Sequence, residues 1–388
     1  MATDKGVWNI QQVRDKQLQS LWEYSGPDDP GSLWGWGRNN NGDLAQGTHT
    51  NDRSSPVQIP GTTWLFTSSS VFTSAAIKTD GTLWSWGYNQ GGQLGHNNRT
   101  SYSSPIQIPG TTWKSIATAY ASIATKTDGT LWAWGQSVNG TLGLNETDGG
   151  RYSSPVQVGG GTDWDNVIVG NNHNSGATKT DGTLWMWGHN HRGQLAQNDV
   201  EKRSSPVQVP GTWKSYASAS YSTTSAIRTD GTLWGWGDNE YGEIGDNSNT
   251  LRSSPSQVGS DTTWKQVTQS GGRGMATKTD GTLWAWGNPT FGANMLNVAP
   301  DVRYSSPVQV GSGTDWDEVV QGADFSLAVK TDGTIWASGI QEFGQLANNV
   351  GGSNACLSSP IQIPGTDWML TKSIMNDGTK TAIVRQQA

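Results

Sequence analysis

The sequence predicts an all-β fold: a seven-bladed β-propeller with four-stranded blades of about 50 residues, its ring closed by pairing of the N- and C-terminal strands. Three observations predict it. The first is a nonamer, TDGTLWSWG at 79–87, which returns nearly unchanged at 127–135, 180–188, 229–237, 279–287 and 331–339, with a diverged copy, DPGSLWGWG, at 29–37. The second is Ser-Ser-Pro, starting at residues 54, 103, 153, 204, 253, 305 and 358, so that the period is 49 to 53 residues. The third is the distribution of the 22 tryptophans. Thirteen lie in the Leu/Ile-Trp segments, seven stand alone between Ser-Ser-Pro and the next nonamer, and only Trp8 and Trp22 fall outside the pattern.

Each element follows from local chemistry. No repeat carries a helical period; short runs bounded by Gly, Pro, Asn and Asp read as strands. Around residue 100 the expected strands are 82–86, 104–108, 113–118 and 123–127. Asp-Gly between the fourth strand and the next Leu-Trp strand predicts a two-residue type I′ hairpin turn, with φ > 0 at both residues. Alternate residues of a strand share a face. Trp84 and Trp86 are therefore expected on one side, and Leu83 and Ser85 on the other. The same reading makes the pairs Trp132/Trp134, Trp185/Trp187, Trp234/Trp236 and Trp284/Trp286 the blade core, bulky indoles meeting small residues of the next blade. At the C-terminus, TAIVR (381–385) matches SAAIK (74–78). The last strand is thus expected beside the first, in a shared blade that leaves no open edge. Residues 29–388 form the propeller in this reading, and 1–28 an N-terminal strap or short amphipathic helix with Trp8, Ile10, Leu18 and Trp22 as its anchor.

Composition narrows the function. The chain of 388 residues has a net charge of −7 and only 15% charged residues. That disfavours nucleic acid as a ligand, because phosphate-backbone binding needs a basic face. Cys356 is the single cysteine, so no internal disulfide can form. The opening MATDKGVWNI has no apolar signal core, and no apolar run approaches the length of a membrane span, so neither secretion nor a membrane span is expected. No catalytic residue, metal or cofactor is expected. His189-Asn190-His191 aligns with loop residues of other repeats, 88–90 and 238–240, and lacks the ββα-metal context of a nuclease. No G-x-S-x-G elbow and no phosphate-cradling G-x-x-x-x-G-K motif is present. The Asp of each Thr-Asp-Gly is committed to a turn.

The segments ATKTDGTLWAWG and loops such as YNQGGQLG (88–95), HNHRGQLA (189–196) and DNEYGEIG (238–245) resemble the repeat of the RCC1 family of propellers, in register over about residues 30–388. The resemblance implies the fold, and it implies a disc whose loop faces grip other macromolecules. Members of that family include a nucleotide-exchange factor, ubiquitin-ligase propellers, an ultraviolet receptor and an inhibitor of β-lactamases. At the family's G-x-x-H-S position this chain carries Phe72, Tyr120, His173, Tyr221, Arg273 and Phe325, only one of them His, so exchange activity is not expected. The receptor's Gly-Trp-Arg-His-Thr clusters are absent, so the tryptophans are not read as a chromophore. These six residues are the candidate partner-binding mouth. The loops 291–300 and 348–357 are longer than their counterparts and give a second candidate surface.

The Gly-Val-Trp-Asn opening is similar to leaders of tailed-phage virion proteins. It motivates the main functional expectation: a non-enzymatic interaction module of a phage particle, in the tail, baseplate, neck or capsid surface. Its partners would be other virion proteins, with a host surface protein or glycan as further candidates. The particle would assemble in the host cytoplasm. The alternatives are a cellular regulatory propeller that binds a protein partner, and a lectin-like module.

Overall fold

The computed structural model describes residues 31–387, apart from 50, 71, 147, 171–172, 219–221, 299–301, 351–355, 371–372 and 377–380. The strap residues Trp8, Ile10, Leu18 and Trp22 therefore lie outside the described residues, as does Tyr221.

The chain folds into antiparallel sheets arranged as a propeller. A regular blade is Trp113–Thr118, Ala121–Lys126, Leu131–Gln136 and Arg151–Gln157, hydrogen-bonded in that order. Four more blades repeat it, beginning at Trp164, Trp213, Trp264 and Trp316. The first strands of these blades pack on one another around the axis. The Ser-Ser-Pro strands lie outermost and half exposed, where a proline costs no ladder bond.

The expected count of seven four-stranded blades is corrected to six. Beside the five regular sheets stands a single eight-stranded one. Its central member is Arg53–Ser70, an 18-residue strand that runs through Pro60-Gly61 without a break. Its first half pairs with Gly31–Gly37 and its second half with Thr73–Lys78, so two sequence repeats share one sheet. Ser373–Asn376 adds a parallel pairing to the end of the same strand, from Thr67↔Ser373 to Ser70↔Asn376. Gly31–Gly37 also pairs antiparallel with Thr381–Gln387, from Gly31↔Gln387 to Gly37↔Thr381, so the two ends of the chain lie in one sheet.

The Thr-Asp-Gly tip is one residue longer than a type I′ turn. Gly81 has φ +75°, but Asp80 is not in the left-handed region. Gly81 N–H donates to the Lys78 carbonyl (2.9 Å), and Lys78 N–H donates to Thr82 (2.9 Å). This is a type I turn followed by a glycine bulge. The Asp80 side chain explains the preference: Oδ1 accepts from Thr82 N–H (3.0 Å) and Oγ1 (2.7 Å), and Thr82 Oγ1 accepts from Trp84 Nε1 (2.9 Å). The Asp-Thr-Trp relay recurs at 128/130/132, 181/183/185, 230/232/234, 280/282/284 and 332/334/336.

The tryptophans divide into three structural classes. The second Trp of each pair is fully buried: Trp86, Trp134, Trp187, Trp236 and Trp286. Its indole N–H donates to a backbone carbonyl of the preceding repeat: Trp86 to Asp43 (2.8 Å), Trp134 to Gln93 (2.9 Å), Trp187 to Thr141 (2.8 Å), Trp236 to Gln194 (2.9 Å) and Trp286 to Glu243 (2.8 Å). Trp36 does the same to Gln345, 309 residues away, across the closure of the ring (2.9 Å). The first Trp (Trp84, Trp132, Trp185, Trp234, Trp284) is only half buried. The third class is the lone Trp. Trp113 packs edge-on against both Trp132 and Trp134, at 6.3 and 5.8 Å. Lys126 Nζ lies 4.8 Å from the Trp113 ring and 4.0 Å from the Trp132 ring, a cation held between two indole faces.

A second set of bonds links the repeats at the rim. Asn97 N–H donates to the Ser153 carbonyl of the next repeat, and Asn145, Asn198, Asn247, Asn297 and Asn349 donate to Ser204, Ser253, Ser305, Ser358 and Ser54. Each of these asparagines has positive φ, from 51° to 61°, a conformation Asn adopts more readily than other side chains.

Candidate partner-binding face

In an antiparallel blade, the loop between the first two strands and the loop between the last two emerge on the same side. Backbone bonds tie the loops together there: Tyr88 N–H donates to the Phe72 carbonyl (2.8 Å), Gln136 to Tyr120 (3.1 Å) and His189 to His173 (2.9 Å). Three of the candidate mouth residues are thereby brought together. The Phe72 ring lies 5.9 Å from Tyr120 and 5.7 Å from Tyr88, and Tyr120 lies 5.5 Å from His173. All three are half buried, so each presents an edge to solvent while its other side is packed. His189 and His191 stack at 4.1 Å on the adjoining loop. Burial holds the His173 imidazole below its ordinary pKa, with a smaller contribution from His189. Desolvation likewise lowers His191. The arc is therefore predominantly neutral near pH 7.

The other two described candidates sit elsewhere. Phe325 is wholly buried and packs with Leu327, Trp36 and Trp368 in the core, paired to Gly339 in the ladder. Arg273 is 1% exposed; its guanidinium donates to the Gly271 carbonyl (3.2 Å) and to that of Ala323. Both residues are the first of their strands, Arg273–Lys278 and Phe325–Lys330. They pair with Gly287 and Gly339 as Thr73 and Ala121 pair with Gly87 and Gly135, one position past Phe72 and Tyr120, whose places are taken by Gly272 and Asp324, and a one-residue step in a strand turns the side chain to the other face.

Sequence reading did not find the cleft beside Arg273. It has a volume of about 280 Å³ and is lined by Asp238, Glu240, Tyr241, Glu243, Arg273, Phe291 and Asp324, among others. Phe291, from the long loop 291–300, is 39% exposed and has φ +63°, a strained backbone for an aromatic residue. Glu243 is 2% exposed, and burial pushes its carboxyl up to about 7. Two larger clefts, of about 420 and 480 Å³, repeat between neighbouring blades at Trp164/Lys179/Pro206 and Trp113/Lys126/Pro155. Among the described residues no group of three His, Cys, Asp or Glu is placed to hold a metal ion, and no helix is long and apolar enough to cross a membrane.

With this geometry in hand, stretches of the chain match a known repeat. The Regulator of chromosome condensation (RCC1) repeat matches at residues 30–69, 80–121 and 181–227, and a second model of the same repeat at 217–243. Among solved structures, the chain is similar to Prp20p of Saccharomyces cerevisiae, with 18% identity and a TM-score of 0.79, covering 93% of this chain and 92% of that one. It is similar to yeast RCC1 (Prp20) as crystallised with Kap60, with 17% identity and a TM-score of 0.78, covering 100% of this chain and 95% of that one. It is also similar to human WBSCR16, with 15% identity and a TM-score of 0.77, covering 92% of this chain and 99% of that one. At such identities the likeness is one of fold. No curated protein sequence matches the chain.

Proposed function

We propose that this protein is a regulatory RCC1-like propeller that binds a protein partner through its mouth face. The observation that carries the reading is the arc Phe72–Tyr120–His173, with Tyr88 behind it: half-exposed rings from three successive blades in contact with one another. Rigid aromatic anchors that need little ordering on association suit a protein interface. The structural likenesses support this reading over a virion component. Prp20p is described with binding properties to Gsp1p and histones, and yeast RCC1 is seen bound to Kap60. In this reading the chain acts by association, not by covalent chemistry.

The test is site-specific photo-crosslinking of the full chain. A crosslinker at position 120 should capture one partner from a lysate of the source organism, and the same probe at Ile106 on the outer strand should not. The double substitution Phe72→Ala/Tyr120→Ala should then weaken that partner at least about tenfold, as expected for a hot-spot pair. Equal capture from both positions, or unchanged affinity, overturns the proposal.

A further inference from the structure

We propose that Asp43 and Glu243 are held in the folded ring as neutral carboxylic acids, and that they make two inter-repeat junctions beneath the mouth sensitive to alkali. The argument begins with their shared position. In each repeat the residue after the loop glycine offers its backbone carbonyl to the next repeat, and the seven occupants are Asp43, Gln93, Thr141, Gln194, Glu243, Ala293 and Gln345. Five of the seven carry no charge.

The side-chain geometry shows why neutrality is needed. Gln93, Gln194 and Gln345 each use Oε1 to accept the N–H two residues earlier, at 2.9, 2.9 and 2.7 Å. Glu243 Oε2 copies this bond to Tyr241 (2.7 Å), and Asp43 Oδ2 makes a longer version to Asn41 (3.4 Å). The second carboxyl oxygen then stands where glutamine carries hydrogen. Thr141 shows what the site provides for a donor: its Oγ1 lies within hydrogen-bond distance of two carbonyls, Val138 at 2.6 Å and His173 on the mouth loop at 2.7 Å. The matching mouth carbonyl for Asp43 is that of Phe72. A Cβ placed on Gly87 would lie 2.4 Å from the Phe72 oxygen and 3.2 Å from Asp43 Oδ1, so both oxygens face the same point. Asp43 is 0% exposed, and its Oδ1 has no hydrogen-bond partner among the described residues. A proton on the carboxyl would turn this buried acceptor into a donor, whereas a carboxylate would face an acceptor with no water to screen it.

The charged surroundings agree. Arg38 is the cation near Asp43 and only partly opposes the effect of burial. Around Glu243, Asp238 and Glu240 favour the neutral form, Arg192 is engaged with Asp238 at 3.4 Å, and Arg273 and Asp324 share the cleft. Burial is the leading cause in both cases, pushing Asp43 up to about 8 and Glu243 up to about 7. A raised acid binds more protons folded than unfolded. Stability from these groups therefore declines as pH rises from the ordinary carboxyl range through about 7 and 8, and levels off above that.

The experiment is an infrared pH titration and a set of thermal melts on the full chain, with Asp43→Asn, Glu243→Gln, the double variant and Gln93→Glu. Wild type should keep a protonated-carboxyl band above pH 6 that shrinks in each single variant and vanishes in the double. Its melting midpoint should fall by several degrees between pH 6 and pH 9. The double variant should flatten that slope, and Gln93→Glu, which adds a third acid at the same position, should steepen it. No protonated-acid band above pH 6 in wild type, or equal slopes for wild type and the double variant, overturns the proposal. The wild-type band and the Glu243→Gln melt decide the matter even if Asp43→Asn does not fold.

Discussion

Residues 54–64 read SSPVQIPGTTW and residues 103–113 read SSPIQIPGTTW, one methylene apart, yet they belong to different structures. The first lies inside the unbroken strand Arg53–Ser70; the second is divided between Tyr102–Ile108 and a new strand at Trp113. Their glycines are the same, φ +111° at Gly61 and +110° at Gly110. The partners differ. Trp113 N–H donates to the Gly81 carbonyl on an Asp-Gly tip (3.0 Å), a contact between repeats at a turn. Trp64 instead faces Gly31, the first residue of the strand Gly31–Gly37, and the pair becomes a rung of the ladder. Thr63 is also carried to φ +65°, a conformation Thr112 does not share. Strand continuity here is a property of what lies opposite a segment, more than of the segment itself.

The largest test of this comparison removes the neighbour. Deleting 381–388 strips Gly31–Gly37 of its inner partner, and the melting temperature should fall sharply. Hydrogen exchange should show 54–64 losing protection while 103–113 keeps it. Equal loss in both would mean that the ring melts as one unit and that the shared sheet confers no separate behaviour.

Next in size are the buried indoles on the two sides. Trp86→Ala and Trp134→Ala should each cost about 3–5 kcal/mol in denaturant unfolding, from lost burial and cavity formation. Trp84→Ala, at a half-buried position, should cost clearly less. A smaller contrast separates the threonines. A β-branched residue in the left-handed region is strained by about 1–2 kcal/mol. Thr63→Gly should therefore be neutral or stabilising by up to about 1 kcal/mol, and Thr112→Gly destabilising by about 1 kcal/mol. If both glycines cost the same, Thr63 is not strained.

The smallest effect comes from a third version of the turn, where Asp261-Thr-Thr-Trp replaces Gly-Thr-Thr-Trp. The Lys278 ammonium at 2.6 Å, and then the Thr263 hydroxyl, hold the Asp261 carboxyl down to about 2. Its contribution is present above the ordinary carboxyl pKa and is lost as pH falls from about 4 through about 2. Asp261 is 38% exposed, so screening limits the gain to less than about 1 kcal/mol. Asp261→Asn should slightly lower stability at pH 7 and flatten the acid limb; an unchanged acid limb would show the pair to be inert.

Much of the molecule was legible because the repeat places one chemistry at one position many times. The strand boundaries, the shared face of Trp84 and Trp86, and the pairing of the chain ends follow from alternation and register. The Asp-Gly turn was misread in type, since the Asp80 carboxylate bonds forward to Thr82 and keeps Asp80 out of the left-handed region that a type I′ turn needs. Phe325 and Arg273 lie one ladder position past the places of Phe72 and Tyr120, which the insertions and deletions between repeats hide from the sequence, and that single step turns both inward. The sequence by itself determined the repeat, its strands and the residues of its turns, because these depend on side-chain period and local backbone preference. Tertiary structure alone decided that two repeats merge into one sheet, which rings touch at the mouth, and which carboxyls lose their water. Those outcomes depend on the group standing opposite each residue, hundreds of positions away in the case of Trp36 and Gln345.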